Sequence, residues 1–256
     1  MTMTKFGNYD LAGQPPVVSW NPIVMRCPGC ELSKPDANGW VPCWHLRMCN
    51  RMMHNPTIPG AHREVYAGNA PMRMHPKHAD EPLGMRKSRV IATQFMGDIG
   101  QALAELRHDV FRTMELAPWH TFLVLTKWPE NVTEEVPDNC WMGTTITDQR
   151  TADLRIPALM RTGAKHLWVS VESMLGPVDL HPPWIGLGAI EFVACGPETG
   201  TGARACDHNW INDVCDQCYK AGVTFYDKRK IAVHICDRVW GGREWPVEWK
   251  AERREP

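Results

Sequence analysis

The sequence predicts an α/β fold, a barrel or partial barrel of parallel strands with helices outside. Three observations carry that expectation. Short apolar segments of buried-strand type alternate with helix-period segments from residue 88 onward, the pattern of parallel strands covered on both faces. Polar residues recur where those strands would end: Asp98, Lys127, Glu172, Glu198 and Lys228. A parallel barrel gathers such ends on one rim and builds its active site there, so a barrel follows more naturally than a doubly wound sheet. Third, four of the ten cysteines lie between Cys27 and Cys49, at the end of a candidate first strand.

Length and composition bound the answer. The chain has 256 residues, enough for one large α/β domain or two small ones, and its 43% hydrophobic and 22% charged residues suit a globule. A formal charge of −1 gives no global basic signal, so any nucleic-acid contact must come from a local patch. Met1 to Tyr9 lacks an apolar signal-peptide core, and no run of ~18 apolar residues could span a bilayer. A cytoplasmic location and no membrane contact are expected. In that compartment thiols stay reduced, so the cysteines read as metal ligands and core residues, not as a disulfide framework.

Taken in order, residues 1–19 form an irregular lead-in with Gly13, Pro15 and Pro16, and the run into Ile23-Val24 is the candidate first strand. The loop 20–52 follows. In Cys27-Pro28-Gly29-Cys30 a two-residue gap lets both sulfurs reach one metal, and Pro-Gly favours the bend. Cys43 opens a helical run (Trp44, Leu46, Arg47, Met48, Arg51, Met52), where free amides favour a thiolate. Spacing alone leaves three readings open: an iron–sulfur cluster, a structural zinc site, or packed free cysteines.

Residues 53–87, rich in Pro, His, Arg and Met, read as an irregular insertion with one short helix. Its histidines (His54, His62, His75, His78) read as solvated surface. Its basic residues (Arg63, Arg73, Lys77, Arg86, Lys87) and Arg89 could face a phosphate backbone or simply be solvated. Strands are expected at Arg89 to Phe95, Thr121 to Lys127, Asn139 to Ile146, His166 to Glu172, Gly188 to Cys195 and Val223 to Lys228. Helices are expected at Ile99 to Leu116, 149–162 and Trp210 to Ala221, before a polar tail at 237–256. The glycine-rich loop Gly196 to Gly202 lacks the spacing of a nucleotide-binding motif. Cys215-Asp216-Gln217-Cys218, with Cys206 nearby, has ligand spacing that could hold a second metal, but cysteines on adjacent helical turns can equally be packed.

Several blocks occur in one order: Trp20-Asn21-Pro22, the cysteines ending in Cys43-Trp44, Phe95-Met96-Gly97-Asp98, and Phe122-Leu123-Val124-Leu125-Thr126-Lys127-Trp128-Pro129. Trp141-Met142-Gly143, Ser170-Val171-Glu172-Ser173-Met174-Leu175-Gly176-Pro177, and Asp216-Gln217-Cys218 before Val223-Thr224-Phe225-Tyr226-Asp227-Lys228 complete it. Over residues 18–232 this resembles a family of phage and bacterial radical-SAM-like proteins, long known only as a phage domain of unknown function and distantly similar to spore photoproduct lyase. One departure is plain. The family's motif ends Cys-x2-Cys-aromatic, whereas here the pair lies upstream and an insertion from Ser33 to Gly39 separates Cys30 from Cys43.

The resemblance implies a radical-SAM-type partial TIM barrel over residues 20–236. It implies a [4Fe–4S] cluster held by Cys27, Cys30 and Cys43, with Cys49 as the substitute, and S-adenosyl-L-methionine on the open iron. Met96-Gly97-Asp98 stands where such barrels contact the methionine amine, making Gly97 and Asp98 cofactor candidates. Lys127, Glu172 and Glu198 are candidates for methionine, ribose or substrate contacts, with Lys228 as a further one; no catalytic side chain is assigned. An external electron donor is required.

Phage membership and the lyase likeness point to nucleic-acid bases, DNA above RNA. The specific expectation is an isomerase that moves a glycyl-type attachment on thymine in phage DNA, because abstraction at an amino-acid α-carbon gives a stabilised radical. Reaching a base in duplex DNA requires flipping it out, and Trp44, Trp119 or Trp128 could fill the gap, or be core. The alternatives are a radical SAM repair lyase or tRNA-modifying enzyme and, from another class, a zinc-stapled nucleic-acid-binding protein without redox chemistry. Oligomeric state is left open.

Overall fold

Seven parallel strands lie side by side in chain order in the computed structural model, which describes residues 17–35, 39, 41–185, 189–199 and 202–229. The strands are β1 (Val18–Trp20), β2 (Ile23–Val24), β3 (Arg73–Met74), β4 (Val90–Thr93) and β5 (Thr121–Thr126). Then come β6 (Cys140–Ile146), β7 (His166–Val171), β8 (Ile190–Cys195) and β9 (Thr224–Asp227). The α-helices are α1 (Trp44–Met53), α2 (Gly60–Ala67), α3 (Ala104–Glu115), α4 (Gln149–Met160) and α5 (His208–Ala221). Most of the predicted lead-in, the tail 237–256 and Cys236 lie outside the described residues.

The main sheet runs β1-β4-β5-β6-β7-β8-β9, every neighbour parallel. Among the described residues no pairing joins β1 to β9, so the sheet is not closed as a barrel. Its strands are apolar runs because both faces are covered; all seven residues of β6 are buried. One face carries the larger core, where Phe122, Val124, Met142 and Val169 meet Val110 and Met114 of α3, Ile156 and Leu159 of α4, and Ile211 and Val214 of α5. Among the described residues the opposite face is built from strand residues and their flanks, around Trp141, Trp168 and Phe192. Trp168 sits opposite Gly143 in the register, where any Cβ would collide with its indole. Its indole N–H lies 3.0 Å from the Val124 carbonyl and 3.1 Å from that of Trp141.

Three expectations need correction. Ile23-Val24 is not the first strand of the main sheet: Val18–Trp20 is, and β2 pairs antiparallel with β3 in a sheet of two. Asn21-Pro22 breaks the run, since proline gives no ladder N–H, and the Ile23 amide donates to the Gln94 side chain at 2.9 Å. The helix from Ile99 starts later, as a short 3-10 turn at Ile99–Gln101 followed by extended Ala102 and Leu103 before α3. The insertion 53–87 is better ordered than expected. It contains α2 and β3 and packs back on β1, with the Trp20 indole donating to the His78 carbonyl at 2.6 Å. His62 is buried within it, its ring 4.7 Å from that of His75, which lies 3.9 Å from the tilted ring of His78. No helix among the described residues is long and apolar enough to cross a membrane.

Candidate functional site

The cysteine loop follows β2 and meets the residue after β5 and helix α4 through Lys127 and Arg155, which both reach Glu31. Cys27, Cys30 and Cys43 are half-buried free thiols. The Cys30 amide donates to Ser33 Oγ at 3.0 Å and the Ser33 amide returns to the Cys30 carbonyl, also at 3.0 Å. The Cys43 amide donates to the Leu32 carbonyl at 2.9 Å. That bond brings the chain back beside the first pair despite the insertion after Ser33. Cys43 is also the N-cap of α1, as the helical run from Trp44 predicts.

Burial pushes the Cys27 thiol well up, and the charges of Asp98, Cys43, Cys49 and Cys30 push the same way. Cys30 is raised mainly by burial, with Lys127 opposing. The thiols therefore feel one another, and a cation among them would reverse the balance toward thiolate. Among the described residues no three His, Cys, Asp or Glu side chains form a ready-made metal group. The donor set nonetheless fits a soft metal by its chemistry: three free thiols on one loop, two across a Pro-Gly turn and one at a helix start. Cys49 is deeper: buried on α1, pushed up to about 11 by burial, with His45 Nε2 at 3.4 Å. Burial holds that imidazole down at about 4.

The side chain that fixes this loop to the sheet is Glu31. Arg155 of α4 grips both its oxygens, at 3.1 and 2.9 Å, and Lys127 reaches Oε1 at 3.0 Å. Its own burial opposes ionisation, yet these cations hold the carboxyl at about 2. Arg155 also donates to the Thr145 carbonyl at 2.8 Å and lies 5.5 Å from the Trp128 ring centre. Lys127, a predicted site residue, thus meets the cysteine loop through the residue next to Cys30. Sequence reasoning missed Glu31 and Arg155. One signal was present: Arg155 interrupts the buried positions Ala152, Ile156 and Leu159, where a charge needs a partner.

The turn after β4 is wired from both sides. Gln94, with φ of 56°, holds Ile23 N and O and donates to the Met96 carbonyl at 3.0 Å. Gly97 follows with φ of 136°, and the Met25 side chain occupies the space a Cβ would need. The Asp98 carboxylate accepts from Gly100 N at 3.0 Å, from Lys127 N at 2.8 Å and from the Thr126 hydroxyl. Burial pushes its pKa up against those bonds. Asp98 thereby joins the ends of β4 and β5, with its carboxylate engaged by this chain's own donors.

Of the other candidates, Glu172 pairs with Lys228 at 2.5 Å and accepts from Ser170 Oγ at 3.0 Å. Two-residue alternation places Lys127, Glu172 and Lys228 on the aromatic face, on the side of Trp168. Glu198 stands apart: Arg204 takes both its oxygens at 2.8 Å and holds its pKa down, with a smaller contribution from Arg47 of α1. Cys215 and Cys218 are buried in the core on α5, while Cys206 is half-buried outside it.

A rim of this kind, with thiols over an open parallel sheet, restricts the chemistry without naming it. No curated protein and no solved structure matches the chain. A family model described as "Protein of unknown function (DUF5131)" matches residues 17–241. That span takes in the cysteine loop and every strand from β1 to β9, so the chain belongs to the DUF5131 family.

Proposed function

We propose that this chain is a radical S-adenosyl-L-methionine enzyme acting on nucleic-acid bases, and that its open sheet is the partial barrel of that class. The supporting observation is the placement of Cys27, Cys30 and Cys43, half-buried on one loop and clamped by Glu31 to Lys127 and Arg155 at the carboxyl ends of the strands. A [4Fe–4S] cluster held by those thiols would supply, with S-adenosyl-L-methionine and an external electron donor, a carbon radical able to abstract hydrogen. The chain's own residues do the rest. Glu31, Lys127 and Arg155 set the position of the cysteine turn, Gln94 and Asp98 hold the turn at Gly97, and the Glu172–Lys228 pair offers opposite charges to a polar substrate. Trp141, Trp168 and Phe192 close the sheet beneath them and exclude water.

Our specific reading is an isomerase that rearranges an amino-acid attachment on thymine in phage DNA, followed by a repair lyase or tRNA-modifying enzyme of the same class. The test is iron and acid-labile sulfide on protein purified without oxygen, then 5′-deoxyadenosine release with modified DNA, lesion DNA or tRNA. About four irons per chain and substrate-stimulated release are expected. Release no higher than in a substrate-free control would end the base-modifying reading.

One observation favours a second reading. His45 Nε2 lies 3.4 Å from Cys49 Sγ, which places an imidazole with the thiols, a donor set zinc accepts. A zinc-stapled nucleic-acid-binding protein would come out colourless in air, with zinc and without sulfide.

A further inference from the structure

Three of the chain's eleven histidines meet where the insertion packs on β1 and β2. His62 comes from α2, His75 directly follows β3, and His78 lies in the turn after it. The His75 ring lies 4.7 Å from that of His62 and 3.9 Å from that of His78, tilted against both. The same short segment fastens the insertion to the residues that lead into the cysteine loop. The His75 amide donates to the Pro22 carbonyl at 2.6 Å and the Trp20 indole to the His78 carbonyl at 2.6 Å, while Met74 and Arg73 pair with Ile23 and Val24. Cys27 stands three residues beyond Val24.

The cluster is packed for neutral rings. The Lys77 amide donates to His75 Nδ1 at 3.3 Å, which requires the lone pair of that nitrogen. Burial, with His78 and His62 beside it, holds the His75 imidazole down at about 4. Burial, with Arg73 and His78, lowers that of His62. The charges around the rings suit one proton and not two. Arg73 of β3, Lys77 of the turn and Arg63 next to His62 on α2 are all cations. The Glu64 carboxylate on α2 accepts from Asn69 at 3.0 Å, and Asp80 is exposed. Glu81 reaches His78 Nδ1 at 2.7 Å and can balance one charge. From β1 and β2 the contact receives Trp20, Pro22, Ile23 and Val24, none of which titrates. A further imidazole, His120, accepts from the Arg89 amide at 3.1 Å and reaches the Pro82 carbonyl at 3.0 Å, at the far end of the insertion.

We propose that His62, His75 and His78 form an acid-sensitive latch, which holds the insertion on the Trp20–Val24 segment while the rings are neutral and releases it when two of them are protonated. In the latched state His75 takes its proton at about 4 and not at the ordinary 6.5. It therefore adds stability above 6.5, and that stability is lost as pH falls from 6.5 toward 4. The window lies above the 4.5 to about 2 over which Glu31 titrates, so the latch opens while the Glu31 clamp is still closed. The released segment runs into Cys27, and acidification thus loosens one end of the cysteine loop. The latch rests on its own geometry and does not depend on the radical reading.

The test is hydrogen–deuterium exchange on the full chain, corrected for the intrinsic rate, comparing peptides from 60–78 with peptides from 121–146. Between about pH 7.5 and about pH 5, protection of 60–78 is expected to fall about tenfold. That is less than the ~30-fold a shift from 6.5 to about 4 gives at full burial, because His75 is partly exposed. Protection of 121–146 is expected to change by less than about twofold. In His75→Asn, whose amide oxygen can take the Lys77 N–H and whose side chain carries no charge, the acid loss is expected to shrink to about threefold or less. Proton NMR of the unaltered protein gives a second reading: the His62 and His75 ring resonances, assigned by substitution, are expected to titrate below those of the exposed His54 and His108. Unchanged protection of 60–78, an equal loss in 121–146, a wild-type acid response in His75→Asn, or His62 and His75 titrating with the exposed rings would each overturn the latch. The exchange comparison and the resonances are read on the wild-type chain, so they decide the matter even if the variant packs poorly at neutral pH.

Discussion

Two pairs of cysteines in this chain share a two-residue gap, Cys27 with Cys30 on the loop after β2 and Cys215 with Cys218 on α5. Their surroundings are opposite. The loop pair spans Pro28-Gly29, is half-buried and has Asp98, Lys127 and Cys43 within electrostatic reach. The helix pair faces the core with Ile211 and Val214, and burial drives the Cys218 thiol far up. Gap length is the same; what differs is whether a backbone turn or a packed helix face presents the sulfurs. On a helix, positions three apart lie on one face, and if that face is the core a thiol is simply a small apolar group. The largest expected effect tests this directly. Cys27→Ala, Cys30→Ala or Cys43→Ala should each abolish the cluster, read as loss of iron, sulfide and visible absorbance, while Cys215→Ala and Cys218→Ala should keep the wild-type iron content. Iron retained by all three loop variants would break the comparison.

Stability should show the reverse order. Cys218→Ser puts a hydroxyl into an apolar site without a partner, at a cost of about 1–3 kcal/mol. Cys30→Ser in metal-free protein should cost under about 0.5 kcal/mol, as for a partly exposed position away from special features. Urea unfolding of the two variants, each against wild type, measures both. Equal losses would mean that the loop is packed as tightly as the helix.

The clamp beneath the loop gives the next effect. Glu31 has its carboxyl lowered from 4.5 to about 2 by Arg155 and Lys127 against its own burial. A folded pKa below the unfolded one adds stability above the unfolded value and loses it as pH falls through the folded value. The loss is thus expected between pH 4.5 and about 2. Its size is about 1–2 kcal/mol, less than the full shift implies, because a quarter of the Glu31 side chain remains exposed. Glu31→Gln should flatten that acid limb in unfolding measurements across pH. An unchanged limb would remove Glu31 as the fastening of the loop.

How far this arrangement was legible follows from where its information lies. Strands β4 to β9 could be read because strands buried on both faces leave continuous apolar runs, and Lys127, Glu172 and Lys228 because they directly follow those runs. β1 escapes a sequence reading because a three-residue strand has no period to read, and Ile23-Val24 looks equally apolar. The Glu31–Arg155 pair joins residues 124 positions apart, and no local spacing announces such a contact. The histidines of the insertion look solvated in the sequence because it shows neither the contact of the His75 and His78 rings nor the burial of His62.

Glu198 offers the smallest effect and the finest test of which rim carboxylates matter. Like Glu172 it follows a strand, yet its partner Arg204 lies six residues away on the same loop and is 44% exposed. An ion pair that close to water contributes at most about 1 kcal/mol, and salt screens it. Glu198→Gln should therefore shift unfolding by under about 1 kcal/mol at low salt, and by less as salt rises. Glu172→Gln is expected to differ in kind. Its partner Lys228 belongs to the next-but-one strand of the sheet, and the pair stands on the aromatic face, on the side of Trp168. Losing it should lower 5′-deoxyadenosine release more than it lowers stability. If Glu198→Gln instead costs activity while leaving stability intact, the loop after β8 belongs to the site, and its bond to Arg204 is what a ligand must displace.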